Sequence, residues 1–140
     1  MKLWDVNLWV YAFRTDCPRH EGIRPILLKS LAEREAFLFC PSVASSFLRI
    51  VTNGRIFREP SDYREAWAFL DYLEAHPAAI FAEPDSMTFG IFKHLCLAAG
   101  AQGNDVPDAF LAALALRHGA SLATADAGMR RWQGVEVELL

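Results

Sequence analysis

Short apolar runs alternate with longer helical stretches along this chain, and that alternation does most to limit its fold. Strand-like segments are predicted at residues 2–6 (Lys-Leu-Trp-Asp-Val), 37–40 (Phe-Leu-Phe-Cys), 80–82 (Ile-Phe-Ala), 121–124 (Ser-Leu-Ala-Thr) and 135–139. The run at 37–40 is apolar throughout and stops at Pro41, as a strand buried on both faces does. Between the runs lie helical patterns. Residues 8–13 are all apolar, as in a buried helix. From about 18 to 34, Ile23, Ile26, Leu27, Leu31 and Ala32 recur at helical spacing, with Pro25 inside to kink or split the helix. A helix over 42–52 is predicted to start on Ser42 as its cap, to turn Val43, Phe47, Ile50 and Val51 inward, and to end at Asn53-Gly54. Ser61 is the predicted cap of a helix over 62–75 with a Tyr63, Trp67, Leu70, Leu73 stripe. A further helix over 85–99 ends at Gly100, and Asn104–Asp108 opens one that runs to His118 and closes at Gly119. A short helix precedes the last strand. Strands that alternate with helices pair in parallel, and right-handed crossovers put helices on both faces. The predicted fold is therefore α/β: a three-layer α/β/α sandwich around a mostly parallel sheet of four or five strands.

Residues 1–140 are expected to form one domain, large enough to bury roughly two-thirds of its unfolded surface. A hydrophobic content of 53% excludes a disordered chain. Three widely spaced cysteines (Cys17, Cys40, Cys96) make neither a disulfide framework nor a zinc cluster and suit a reducing compartment. No apolar run approaches membrane-spanning length and the first residues lack a signal-peptide layout, so a cytoplasmic protein with no membrane partner is expected. A net charge of -3 argues against gripping nucleic acid by bulk charge.

Three aspartates share one address in this layout. Asp5 closes the first strand, Asp126 closes a late one, and Asp108 lies in the first turn of the helix feeding that late strand. In a parallel α/β sheet all three belong to the carboxyl edge, where ligands bind. Singly, each has a plain structural role, since an aspartate at a helix start caps it or complements its dipole for about 0.3–1 kcal/mol. Together they repel, and such a group protonates a member or binds a cation. Hard oxygen donors suit Mg²⁺ or Mn²⁺, which activates water and neutralises phosphodiester charge.

At this point the chain resembles a known family. Leu3-Trp4-Asp5-Val6-Asn7-Leu8-Trp9-Val10-Tyr11-Ala12 looks like the opening of PIN-domain ribonucleases, the VapC-type toxins of bacterial toxin–antitoxin pairs. Phe47-Leu48-Arg49-Ile50-Val51-Thr52-Asn53 is similar to their second block. Asn104 through Ala115 with His118-Gly119-Ala120 resembles the third, and Leu122-Ala123-Thr124-Ala125-Asp126 the fourth. The blocks stand in family order over nearly the whole chain. The resemblance implies a Mg²⁺- or Mn²⁺-dependent endoribonuclease, with Asp5, Asp108 and Asp126 as metal-site acids and Asn7 and Thr124 in support. It implies an RNA substrate, a VapB-type antitoxin and a homodimer.

Two departures from the family pattern stand out. Many members carry a glutamate on the helix after the second strand, whereas Ser42-Val43-Ala44-Ser45-Ser46 has no acid. Gly128 stands where many place another aspartate. Asp105 is the candidate fourth acid, with a rival role as cap of the helix at Pro107. Two other readings remain: a PIN-like interaction module without catalysis, and a metal-dependent DNA nuclease on the same site. No Walker loop supports a phosphotransferase.

Arg49, Arg55 and Arg58 cluster around Asn53-Gly54 and are candidates to hold RNA phosphates, or are simply a solvated helix end. Arg130 and Arg131 come next. The four histidines show no ligand spacing, and His118 is most simply a dipole partner. Trp67, with Phe69 and Tyr72, marks a candidate partner surface. With acids at one sheet edge and arginines beside it, the net charge excludes indiscriminate binding but not cleavage at a metal-dependent site.

Overall fold

The computed structural model describes residues 1–140. Its elements are β1 (Lys2–Trp4), α1 (Val6–Phe13), α2 (His20–Ala32), β2 (Phe37–Phe39), α3 (Pro41–Val51), α4 (Tyr63–Glu74), β3 (Ala79–Phe81), α5 (Ser86–Ala99), α6 (Asp105–His118), β4 (Ser121–Thr124) and β5 (Val137–Leu139). A 3-10 turn, Ala127–Arg131, joins the last two strands. The five strands form one sheet in the order β3-β2-β1-β4-β5, and every pairing is parallel.

This order places the site. The chain winds outward from β1 through β2 to β3, then returns across the sheet to β4 and β5 on the other side. Right-handed crossovers therefore set α1–α4 on one face and α5–α6 on the other. The winding direction reverses between β1 and β4, so their carboxyl ends open onto a crevice. Lys2, Leu3 and Trp4 pair with Ser121, Leu122 and Ala123, and the Asp5 N–H donates to the Ala123 carbonyl at 2.9 Å. Asp5 and Thr124 thus leave adjacent strands side by side.

The core is a continuous set of 33 buried hydrophobic residues. Leu3, Trp4, Leu38, Leu122 and Ala123 are almost wholly buried because the sheet is covered on both faces. Trp9 stacks on Phe39 with centroids 5.7 Å apart and meets Phe47 edge-on at 6.3 Å, which locks α1 to α3 above β2. Phe47 also contacts Phe13 and Phe69, each at 5.3 Å.

Local chemistry differs from the sequence expectations in four places. The α2 helix runs unbroken through Pro25, which lies six residues into it. The α3 helix starts from Cys40 with Pro41 in its first turn, so Ser42 is already helical and caps nothing. The cap of α4 is Asp62, whose carboxylate accepts from the Arg64 N–H at 2.7 Å, while Ser61 instead accepts from the Arg14 guanidinium. The phase of α4 is also shifted: Ala66, Leu70 and Leu73 point inward, Phe69 packs on Phe13 and Phe47, and Tyr63 and Trp67 are more than half exposed. The aromatic network claims Phe69, which sets the rotation of the helix. Phe69 therefore does not join Trp67 and Tyr72 on the outer surface.

Two polar clamps hold elements that packing alone would leave loose. Arg14, 8% exposed, donates to both Asp16 carboxylate oxygens, to Ser61 and to the Glu59 carbonyl, and lies 3.8 Å from the centroid of the Phe57 ring. It pins the connection between α3 and α4. Asp85 caps α5 in a reciprocal box with Thr88 and accepts two bonds from Arg117 of α6, at 2.7 and 2.9 Å. Arg117 beside it, helped by the Thr88 N–H, holds the Asp85 carboxyl far below the usual carboxylate range.

Phe47→Ala is expected to cost about 3–4 kcal/mol, read from the midpoint of urea unfolding at unchanged slope, because three aromatic rings lose a common contact. Asp85 has a folded pKa below its unfolded one, so its contribution is present above the unfolded value and is lost as pH falls through the folded value. Asp85→Asn should therefore lower Tm at pH 7 and lose that effect in strong acid, as melting curves across pH will show.

Candidate active site

The crevice between β1 and β4 gathers a hydrogen-bonded group around one carboxylate. Asp5 is 8% exposed and stands where β1 passes into α1 without capping that helix. Its Oδ2 accepts from Thr124 Oγ1 at 2.6 Å and from Asn7 Nδ2 at 2.8 Å. Thr124 is fully buried, and its Oγ1 also accepts from Asn7 Nδ2 at 3.1 Å and from the Asp126 N–H at 3.0 Å. The Asn7 side-chain Oδ1 accepts from the Ala125 N–H at 3.3 Å. Thr124 therefore has its proton directed at Asp5 and its lone pairs directed at two donors, which fixes the orientation of all three side chains.

Asp5 and Asp108 line the same small cleft, of about 110 Å³. Asp108 sits in the first turn of α6 and is partly buried. Burial pushes the Asp5 carboxyl up, opposed by the Thr124 hydrogen bond and reinforced by Asp126. Burial also pushes Asp108 up, aided by repulsion from Asp5 and Asp126 and offset by Arg131. Asp108 thus feels Asp5 and Asp126, and Asp5 feels Asp126, across the crevice. Asp126 itself is exposed and uses Oδ1 to cap the 3-10 turn, accepting from the Gly128 N–H at 2.7 Å. Gly128 suits that turn, since a Cβ there would stand 3.0 Å from Asp126 Oδ1.

Asp105 is the first residue of α6 and caps nothing, contrary to the role weighed for it. Its carboxylate pairs with Arg131 at 2.7 Å, which holds its pKa down. Arg131 is consequently the cation that the fold brings to the acids. Arg49, Arg55 and Arg58 are exposed and do not line the cleft. Arg49 continues, at helical spacing, the α3 face that carries Ser42 and Ser46, and Arg55 and Arg58 lie on the connection that Arg14 pins. Arg130 is exposed beside Arg131. Ser42 and Ser46 were missed as residues that line the cleft. The two serines flank the apolar Val43-Phe47 stripe, and their spacing of four was the available signal.

No three carboxylates, imidazoles or thiols stand close enough to enclose a metal ion by themselves. The donor chemistry nevertheless fits a hard divalent cation. Asp5 and Asp108 are carboxylates without an ion-pair partner facing one cleft, and Mg²⁺ is held through one or two carboxylates while keeping several waters.

Residues 2–134 match the PIN domain family model. The chain is 39% identical to ribonuclease VapC43 of Mycobacterium tuberculosis over 129 residues, covering 92% of this chain and 88% of that protein. Among solved structures it is similar to M. tuberculosis VapC20, described as a sarcin–ricin loop cleaving toxin, with a TM-score of 0.70, 14% identity and 99% of each chain covered. It is also similar to VapBC2 of Rickettsia felis bound to a promoter DNA fragment, with a TM-score of 0.70, 16% identity, and 99% and 97% coverage. Those two likenesses speak to the fold, which is the same parallel architecture. By the span of the family match and the identity to VapC43, the chain belongs to the PIN-domain family, among the VapC ribonucleases.

Proposed function

We propose that this chain is a metal-dependent endoribonuclease that hydrolyses RNA phosphodiester bonds and acts as the toxin of a VapBC-type pair. The observation that carries the reading is a buried carboxylate, Asp5, oriented by Thr124 and Asn7 and facing Asp108 across one cleft, in a chain related to VapC ribonucleases. The solved relatives include VapBC complexes, which supports a VapB-type antitoxin as partner, and the proposal carries the homodimer that the family resemblance implies.

Asp5 and Asp108 would hold Mg²⁺ or Mn²⁺, with Asp126 completing the acidic rim. When bound, such a cation lowers the pKa of a water and neutralises charge on the phosphodiester. The protein's own residues do the rest. Thr124 keeps its hydroxyl proton on Asp5 Oδ2, which leaves Oδ1 without a side-chain partner. The apolar residues Val43 and Phe110 narrow the cleft and limit its water. Arg131, held by Asp105, sets a positive charge at the rim, and the exposed Arg49, Arg55, Arg58 and Arg130 offer phosphate contacts further out.

The test is cleavage of total RNA with Mg²⁺ or Mn²⁺. Wild type should cut at defined positions and Asp5→Asn should lose more than about 100-fold, beyond the 10–100-fold usual for outer-shell residues. Equal cutting by both, or cutting of DNA alone, would overturn the reading. In chelator, Asp5→Asn should be the more stable protein by about 1 kcal/mol, because it removes a buried charge without removing the oxygen that Thr124 and Asn7 bond. Added Mn²⁺ should raise Tm of the wild type and not of the variant. Thr124→Val should cost about 10–100-fold in cleavage at nearly unchanged volume, through loss of the Asp5 orientation.

A further inference from the structure

The cleft that holds Asp5 and Asp108 has a second wall. Ser42 and Ser46, one turn apart on α3, line it directly. Ser42 is exposed and Ser46 half-buried, and both hydroxyls are free of partners within the protein, so each is open to an incoming group. Ser42 does not cap α3, so helix chemistry does not account for it. The remaining lining is apolar, with Val43 and Phe110 among it, and no lysine or arginine takes part.

This combination selects its occupant. With a divalent cation held by Asp5 and Asp108, phosphate would be drawn to the cation, and the uncharged serine hydroxyls would be left for a neutral group beside it. A neutral hydroxyl is favoured, since it donates to a carboxylate and accepts from a serine Oγ–H at once. In a nucleic-acid backbone the internal group of that kind is the ribose 2′-hydroxyl, which separates RNA from DNA. We propose that Ser42 and Ser46 form a ribose-reading wall, whose hydroxyls bond the 2′-hydroxyl of the nucleotide in the cleft and make the site select RNA. The inference rests on the nuclease reading of the same site and adds the group that the site recognises.

The double variant Ser42→Ala/Ser46→Ala tests it. Alanine raises helix propensity at both positions, so the variant should fold with an unchanged or higher Tm. The cleavage arm compares an RNA oligonucleotide spanning a mapped cut site with the same strand carrying one 2′-deoxy substitution at the cut nucleotide. Wild type should prefer the all-ribose strand by about tenfold, the worth of two neutral hydrogen bonds. The variant should lose about that factor on the all-ribose strand and little on the deoxy strand. Equal losses on both strands, or no loss on either, would overturn the proposal.

A binding arm keeps the two readings separable. Anisotropy is measured with Ca²⁺ present on a mixed-sequence RNA 12-mer pool and its 2′-deoxy counterpart with the same bases. A wild-type preference for RNA that the variant abolishes supports the serine wall even where no strand is cut, in which case the nuclease reading fails alone. Equal binding of both pools by wild type, or an RNA preference that the variant retains, overturns the wall even where cleavage is robust.

Discussion

The hydrogen bond from Thr124 to Asp5, 2.6 Å long and out of contact with solvent, is the interaction around which the site is organised. A carboxylate at this depth is costly unless it is bonded. Two donors meet that cost on one oxygen and leave the other unoccupied by any side chain. The bond exists only because β1 and β4 are neighbours, and they are neighbours because the chain doubles back across its first strand. Register does the fine placement, since Trp4 pairs with Ala123 and the next residues on each strand emerge together into the crevice.

The surrounding charges follow from that arrangement. With Asp5 buried and Asp126 beside it, Asp108 also resists ionisation, and the protein supplies only one nearby counter-charge, Arg131. Arg131 is itself held by Asp105, so the rim carries a tethered cation while the floor stays anionic and lined by hydroxyls. No third acidic, imidazole or thiol side chain closes the group into a cage. The charged and the neutral polar groups thus stand apart: arginines at the rim and on the α3–α4 connection, serine hydroxyls on the cleft wall.

Much of this was legible in the residues. The alternation of strands and helices led to a parallel α/β sheet, the three aspartates fell at its carboxyl edge, and Gly100 and Gly119 end their helices in the left-handed conformation that their position suggests. What was not legible was local competition. Cys40-Pro41 starts α3 ahead of Ser42, because proline suits a first helical turn. Asp62 takes the cap of α4 once Arg14 claims Ser61. Aromatic packing turns α4 so that Trp67 faces out and Phe69 in. Asp105 looked like a cap or a fourth acid, and it does not cap α6 but pairs with Arg131, which follows β4.

The sequence by itself determined the elements and the edge at which the chemistry gathers, because hydrophobic periodicity and helix punctuation are local properties of neighbouring residues. Only the tertiary structure decided which side chains meet. The orientation of Asp5 depends on a threonine 119 residues away. The serine wall depends on the rotation of α3 against α1, and the pairing of Arg131 with Asp105 on the path of the chain after β4. These are long-range contacts fixed by strand order and by the shape of the packed core, and neither is written in any single stretch of residues.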